Sequence, residues 1–243
     1  MENRFLNFKK INDSETELYI YGDIRKQSVI EKWLGLSEDV TDSFTLKDAL
    51  QHVDTPNLTV RINSYGGSVS EGLAIYSLLS EFKGHLKTIV DGFACSAASL
   101  IFMAGEERVV PENGLLMIHN AWTEAKGDSN TMKKVAEDLE KITQPSVNIY
   151  VSKTQLTEEE VKEKMNREEW ITSQEAYEWG FSTTQKRKDV MQSLEADFVY
   201  NLVIKNKEMQ KKINQQTKEI EEMKKDNLKQ VKNDSWESFF NKK

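Results

Sequence analysis

A single cysteine, Cys95, stands in 243 residues, which excludes an internal disulfide and any cysteine-rich metal site and points to a reducing compartment. Long apolar runs are missing too. No stretch reaches about 18 consecutive apolar residues, and the N-terminal segment MENRFLNFKKINDSETE has no apolar h-region, so neither a membrane span nor a signal peptide is indicated. A cytoplasmic protein is expected. The nucleotide-binding signatures are absent: Gly66 and Gly67 are followed by neither a G-x-G-x-x-G pattern nor a Walker lysine. A net charge of −7 argues against nucleic acid as the main partner. What is present, 38% hydrophobic residues with 9% aromatics, supports one packed domain with something extra beside it.

The stretch DGFACSAASLIFMAG, Asp91 to Gly105, organises the chain. The run Leu86, Thr88, Ile89, Val90 leads into it as a strand. Small residues then surround Ser96, and Leu100 to Met103 is apolar on every face, as suits a short buried helix closed by Gly105. Ser96 is therefore expected on a strand-to-helix turn. Its hydroxyl would sit where unpaired backbone N–H groups favour negative charge, the environment of an acyl-transfer nucleophile. A close-packed helix start is the plainer reading of the same small residues.

The flanking segments repeat the pattern. Residues 1–15 read as a loosely held N-terminal segment, and Leu18 to Ile24 as a first strand. A short amphipathic helix follows from Thr45 and stops before Pro56. Leu58 to Ile62 reads as a strand running into the turn Asn63 to Ser68, and then Val69, Leu73, Tyr76 and Leu79 mark a helix. Two successive strand, glycine turn, helix units imply parallel strands with helices on the sheet's face, an α/β class. Glu107 to Val110 and Leu115 to Ile118 read as short strands joined by the turn at Pro111 to Gly114, the second delivering His119. A helix is expected from Asn130 to about Val151, kinked or split at Pro145. Charged helix Glu158 to Met165 comes next, then a short helix capped by Ser173 and ended by Gly180.

After Phe181 the chain has neither glycine nor proline. Leu202, Met209, Ile213, Ile220 and Met223 form a heptad-like seam interrupted by Asn206, Gln216 and Asn227. A helix or weak coiled coil is expected there, ending in the aromatic group Trp236, Phe239, Phe240. The expected division is a flexible segment 1–15, a main domain 16–186, and a charged helical tail 187–243.

The chemistry lies in four places. Gly66 and Gly67 read as a close-packed turn, a phosphate cradle, or a turn that aims a backbone N–H at a reacting carbonyl. Of the three histidines, His52 and His85 lie in polar surroundings. His119 closes an apolar strand and is either structural or the partner of Ser96. Glu168 and Glu169 alone read as surface charge.

Together the four places resemble the Clp-type serine peptidases, and more closely their phage-encoded branch, the head maturation or prohead proteases. The resemblance runs from about Leu18 to Thr184. It is carried by INSYGGSVSEGLAIY (Ile62 to Tyr76), GFACSAASLIFMAG (Gly92 to Gly105), LLMIHNAW (Leu115 to Trp122) and EEWITSQEAYEWGF (Glu168 to Phe181), in the family's order and at nearly its spacing. It implies a ClpP/crotonase fold of repeated β-β-α units, followed here by the C-terminal tail. It implies Ser96 as nucleophile, His119 as general base, and the N–H groups of Gly67 and Ala97 as the oxyanion hole. Glu168 falls where cellular members place an aspartate. Tyr65 replaces a usual proline, and Cys95 a usual small residue. The crotonase branch binds acyl-CoA and has no serine nucleophile, and the membrane-bound branch uses a Ser-Lys dyad and an anchor. No cofactor or metal is expected. The partners implied are a peptide or protein substrate and other copies of the chain in a ring of seven or a multiple. Phage capsid, portal or scaffold proteins and a separate Clp ATPase are candidates as well, with the prohead as a further location. A scaffold protein with a vestigial site is the alternative from another class.

Overall fold

The computed structural model describes residues 6–27 and 40–184. All of these lie in the unit Met1–Lys188; the tail, with its heptad seam and terminal aromatics, lies outside the described residues.

Among the described residues eight strands form one mixed sheet, in the order β1 (Leu6–Asn12), β2 (Glu15–Ile24), β4 (Asn57–Gly67), β5 (His85–Cys95), β7 (Leu115–Met117) and β8 (Trp170–Thr172). β3 (Val40–Thr41) pairs with β2, and β6 (Glu107–Val109) with β5. The central pairings β2–β4, β4–β5 and β5–β7 are parallel, whereas β1 and β8 run antiparallel at the two ends. Parallel neighbours need crossovers, supplied by α1 (Ser43–Leu50) and α2 (Val69–Ser80). α3 (Ala97–Phe102) follows β5, and α4 (Ser129–Lys153), α5 (Glu158–Asn166) and α6 (Ser173–Trp179) complete the described chain. The α/β class and the repeated strand and helix units agree with the expectation.

Strand alternation explains the layering. Leu58, Val60 and Ile62 of β4 and Leu86 and Val90 of β5 are buried, and Ile75 and Leu79 of α2 are buried with them in one core cluster. On the opposite face, Arg61 and Tyr21 both bond to Asp91, which keeps a polar, half-buried surface there. α3 is buried throughout, as its five apolar residues favour, with the Ser99 hydroxyl hydrogen-bonded inside. A side chain at Gly72 would meet the Ala97 Cβ at 2.9 Å, so this glycine lets α2 and α3 approach closely.

Several local expectations change. Residues 6–12, read as part of a loose segment, form β1, because Asn12 Oδ1 accepts from the Ser14 N–H at 2.8 Å and turns the chain back onto β2. β4 and β5 extend through their glycines to Gly67 and Cys95, past register shifts at Ile62/Ser64. β6 and β7 each pair in parallel with successive parts of β5; the turn between them moves the chain along one edge. α4 passes through Pro145 as one 25-residue helix. α6 is capped by Thr172 and Glu175 in a reciprocal capping box, while the Ser173 hydroxyl donates to the Val110 carbonyl at 2.5 Å.

Candidate active site

Ser96 is the single residue between β5 and α3, and it adopts φ 54°, ψ −123°, a conformation that costs a non-glycine residue about 1–3 kcal/mol. A serine at a helix start ordinarily turns its oxygen onto the helix's own N–H groups. Ser96 makes no such cap. Its N–H donates to the Met117 carbonyl of β7 at 2.8 Å, and its Oγ lies 2.7 Å from His119 Nε2.

His119 follows β7 by two residues. The antiparallel pairing of Met117 with Trp170, extended by the Ile118 N–H donating to the Glu169 carbonyl at 3.1 Å, brings Glu168 to the same place. Glu168 has φ 51° and an exposed side chain. Burial holds the His119 pKa below its ordinary value, while the Glu168 carboxylate and the backbone of Asn120 partly oppose this. At neutral pH the ring is therefore uncharged and its Nε2 is able to take a proton. Among the described residues no hydrogen bond joins Glu168 to His119, so the carboxylate acts on the ring through its charge.

The first glycine of the pair packs against the serine turn. A side chain on Gly66, at φ 93°, would lie 2.5 Å from the Cys95 carbonyl and 2.8 Å from the Ser96 Cβ. Only glycine fits there. Gly67, at φ 148°, lies against β2 instead, where a side chain would run into the Ile24 carbonyl. Ser64 supports Gly66, its hydroxyl donating to the Gly22 carbonyl at 2.5 Å and accepting from the Gly66 N–H at 3.0 Å. Gly67, Ala97, Ser96, His119 and Glu168 all border one cleft of about 670 Å³.

The five residues singled out in the sequence thus meet at one place. The cleft also includes Leu100, Met117, Trp122 and Tyr150. Leu100, four residues after Ser96, shares its helix face and was accessible to sequence reasoning; Tyr150, arriving from α4, carried no such signal. Cys95 is fully buried, pointing away from a role as a surface thiol. His52 and His85 are exposed, bonded to the Asp48 carbonyl and Glu106. Among the described residues no group of three or more His, Cys, Asp or Glu is placed to hold a metal ion, and no described helix is long and apolar enough to cross a membrane.

With this geometry in view, the comparisons with known proteins converge. The chain is 28% identical over 171 residues to the ATP-dependent Clp protease proteolytic subunit of Bacteroides thetaiotaomicron, covering 68% of this chain and 77% of that protein. The protein of the same name from Deinococcus radiodurans is also 28% identical, over 66% of this chain and 81% of its own length. The family model described as Clp protease matches residues 15–201, which takes in every described residue of the site and most of the chain, and the chain belongs to that Clp protease family.

Proposed function

We propose that this protein is a serine endopeptidase in which Ser96 is the nucleophile, His119 the general base, and Glu168 the group that favours the imidazolium. The observation that carries the reading is the 2.7 Å approach of Ser96 Oγ to His119 Nε2 in an open cleft. Ser96 Oγ attacks the scissile carbonyl while its proton passes to Nε2. The Gly67 and Ala97 N–H groups receive the developing oxyanion. His119 then returns the proton to the leaving amine, and water hydrolyses the Ser96 acyl ester by the same route. Cleavage of an unfolded polypeptide, abolished by Ser96→Ala and by His119→Ala, tests this. Equal cleavage by Ser96→Ala removes it.

For the substrate we propose phage capsid or scaffold proteins during head maturation. Support comes from the E-x-W arrangement of Glu168 to Trp170, similar to phage members, and from the glycine-free, proline-free tail at 187–243, read as an assembly arm. The second reading is a general peptidase fed by a separate ATPase, favoured by the names of the relatives. Co-expression with capsid and scaffold proteins, or with a Clp ATPase, separates the two by which partner's presence yields cleavage products. A ring is part of both readings. In the first four turns of α4, through Pro145, no residue is buried, and Met132 and Ile142 are 36% and 47% exposed, an apolar presentation suited to another copy of the chain.

A further inference from the structure

Beneath Ser96 lie two buried hydroxyls that the chemistry above leaves unused. Ser99 is fully buried and Tyr150 is 2% exposed. Buried hydroxyls are costly unless bonded, and these are bonded in a directed series. Ser99 Oγ donates to the Ser96 carbonyl at 2.6 Å and lies 2.8 Å from the Tyr150 hydroxyl. Ser99 has one hydroxyl proton and it is committed to Ser96, so Tyr150 is the donor to Ser99. Burial raises the Tyr150 pKa, which keeps that donor protonated at any working pH. The Ser99 N–H adds a second bond to the same carbonyl at 3.0 Å.

We infer that Ser99 and Tyr150 are positioning residues that orient the Ser96–Ala97 peptide, and with it one arm of the oxyanion hole. The Ser96 carbonyl and the Ala97 N–H belong to one planar peptide group. Fixing the oxygen therefore fixes the direction of the hydrogen on its other side. The anchor is needed because Ser96 holds φ 54°, ψ −123°, a conformation that persists only when its surroundings impose it. Hydrogen bonds accepted by the carbonyl also polarise the peptide, which makes the Ala97 N–H a stronger donor to an oxyanion. Tyr150 comes from α4 and packs its ring against Phe181 at 5.7 Å, so the hydroxyl is held from outside the serine turn. The inference rests on Ser96 being the nucleophile.

The test uses the full chain with Ser99→Ala, Tyr150→Phe and the double variant, the phenylalanine keeping the ring's packing. Two rates are read: peptide hydrolysis, and labelling by a fluorophosphonate, in which the Ser96 Oγ–P bond forms as fluoride leaves and His119 takes the hydroxyl proton. Removing an oxyanion donor outright costs about 10²–10³-fold; misaiming one is expected to cost about tenfold in kcat for Ser99→Ala and about threefold for Tyr150→Phe, with KM little changed and labelling slowed in parallel. Because Tyr150 acts through Ser99, the double variant should be no slower than Ser99→Ala. Wild-type kcat and labelling in both single variants, or losses that multiply in the double variant, overturn the inference while leaving Ser96 in its role. Wild-type protein that hydrolyses peptides without labelling at Ser96 overturns that role and the inference together.

Discussion

Replacing Glu168 by glutamine removes a charge beside His119 and leaves nearly the same shape. An adjacent opposite charge favours the charged form of a group, here the imidazolium, by about 1–3 pKa units, or about 1.4–4 kcal/mol. Glu168 is exposed and no hydrogen bond ties it to the ring among the described residues, so the lower end applies. The imidazolium formed in the transition state loses that much, and kcat should fall about tenfold, against about 10⁴-fold for a buried, directly bonded triad acid. The pH profile gives the sign. Only uncharged His119 accepts the Ser96 proton, so kcat/KM falls on the acid side of the His119 pKa. Burial already holds that pKa below its ordinary value and Glu168 partly raises it. Without the carboxylate it drops further, and the acid limb moves to lower pH. A fluorogenic peptide assayed between about pH 5 and 8 reads both quantities. An acid limb that stays in place or moves to higher pH refutes the electrostatic role assigned to Glu168.

Gly66→Ala places a methyl group 2.5 Å from the Cys95 carbonyl at φ 93°; activity should fall by at least about a hundredfold from the displaced serine turn, with stability lowered by about 1–3 kcal/mol, read by peptide hydrolysis beside thermal melting. Arg108 is buried and donates to the Gly105, Lys153, Gly180 and Phe181 carbonyls, at or near the ends of α3, α4 and α6. Arg108→Met leaves all four without this donor and should destabilise the chain by about 3 kcal/mol or more in urea unfolding, and a loss below about 1 kcal/mol would contradict the clamp. Ile142→Glu, on the exposed part of α4, should shift sedimentation toward smaller species without changing the melting of the subunit's own core.

The central units were legible because their periodicity changes from two to 3.6 within a few residues, at Gly66–Gly67 and again around Ser96. β1 was not, since Lys9 and Lys10 interrupt its apolar signal and its pairing depends on the Asn12–Ser14 turn. The strands' true ends were hidden for a related reason: the glycines that suggested turns serve as bulged strand termini, imposed by neighbouring strands. In α4, a proline inside a long helix removes one donor, which so exposed a segment tolerates. At the site, Ser96 and His119 stood out by residue type and placement, and Glu168 only through family resemblance. The Ser99–Tyr150 pair was invisible. Its members are separated by 51 residues and meet only because α4 crosses beneath α3.

The central claim is that Ser96, activated by His119, is the residue that attacks substrate. Peptide mapping after fluorophosphonate treatment tests it most directly, with hydrolysis followed in the same sample. One adduct is expected, on Ser96, appearing in step with loss of activity and absent from His119→Ala over the same time. An adduct on Ser99 or another serine, or full inactivation with Ser96 unmodified, would contradict it.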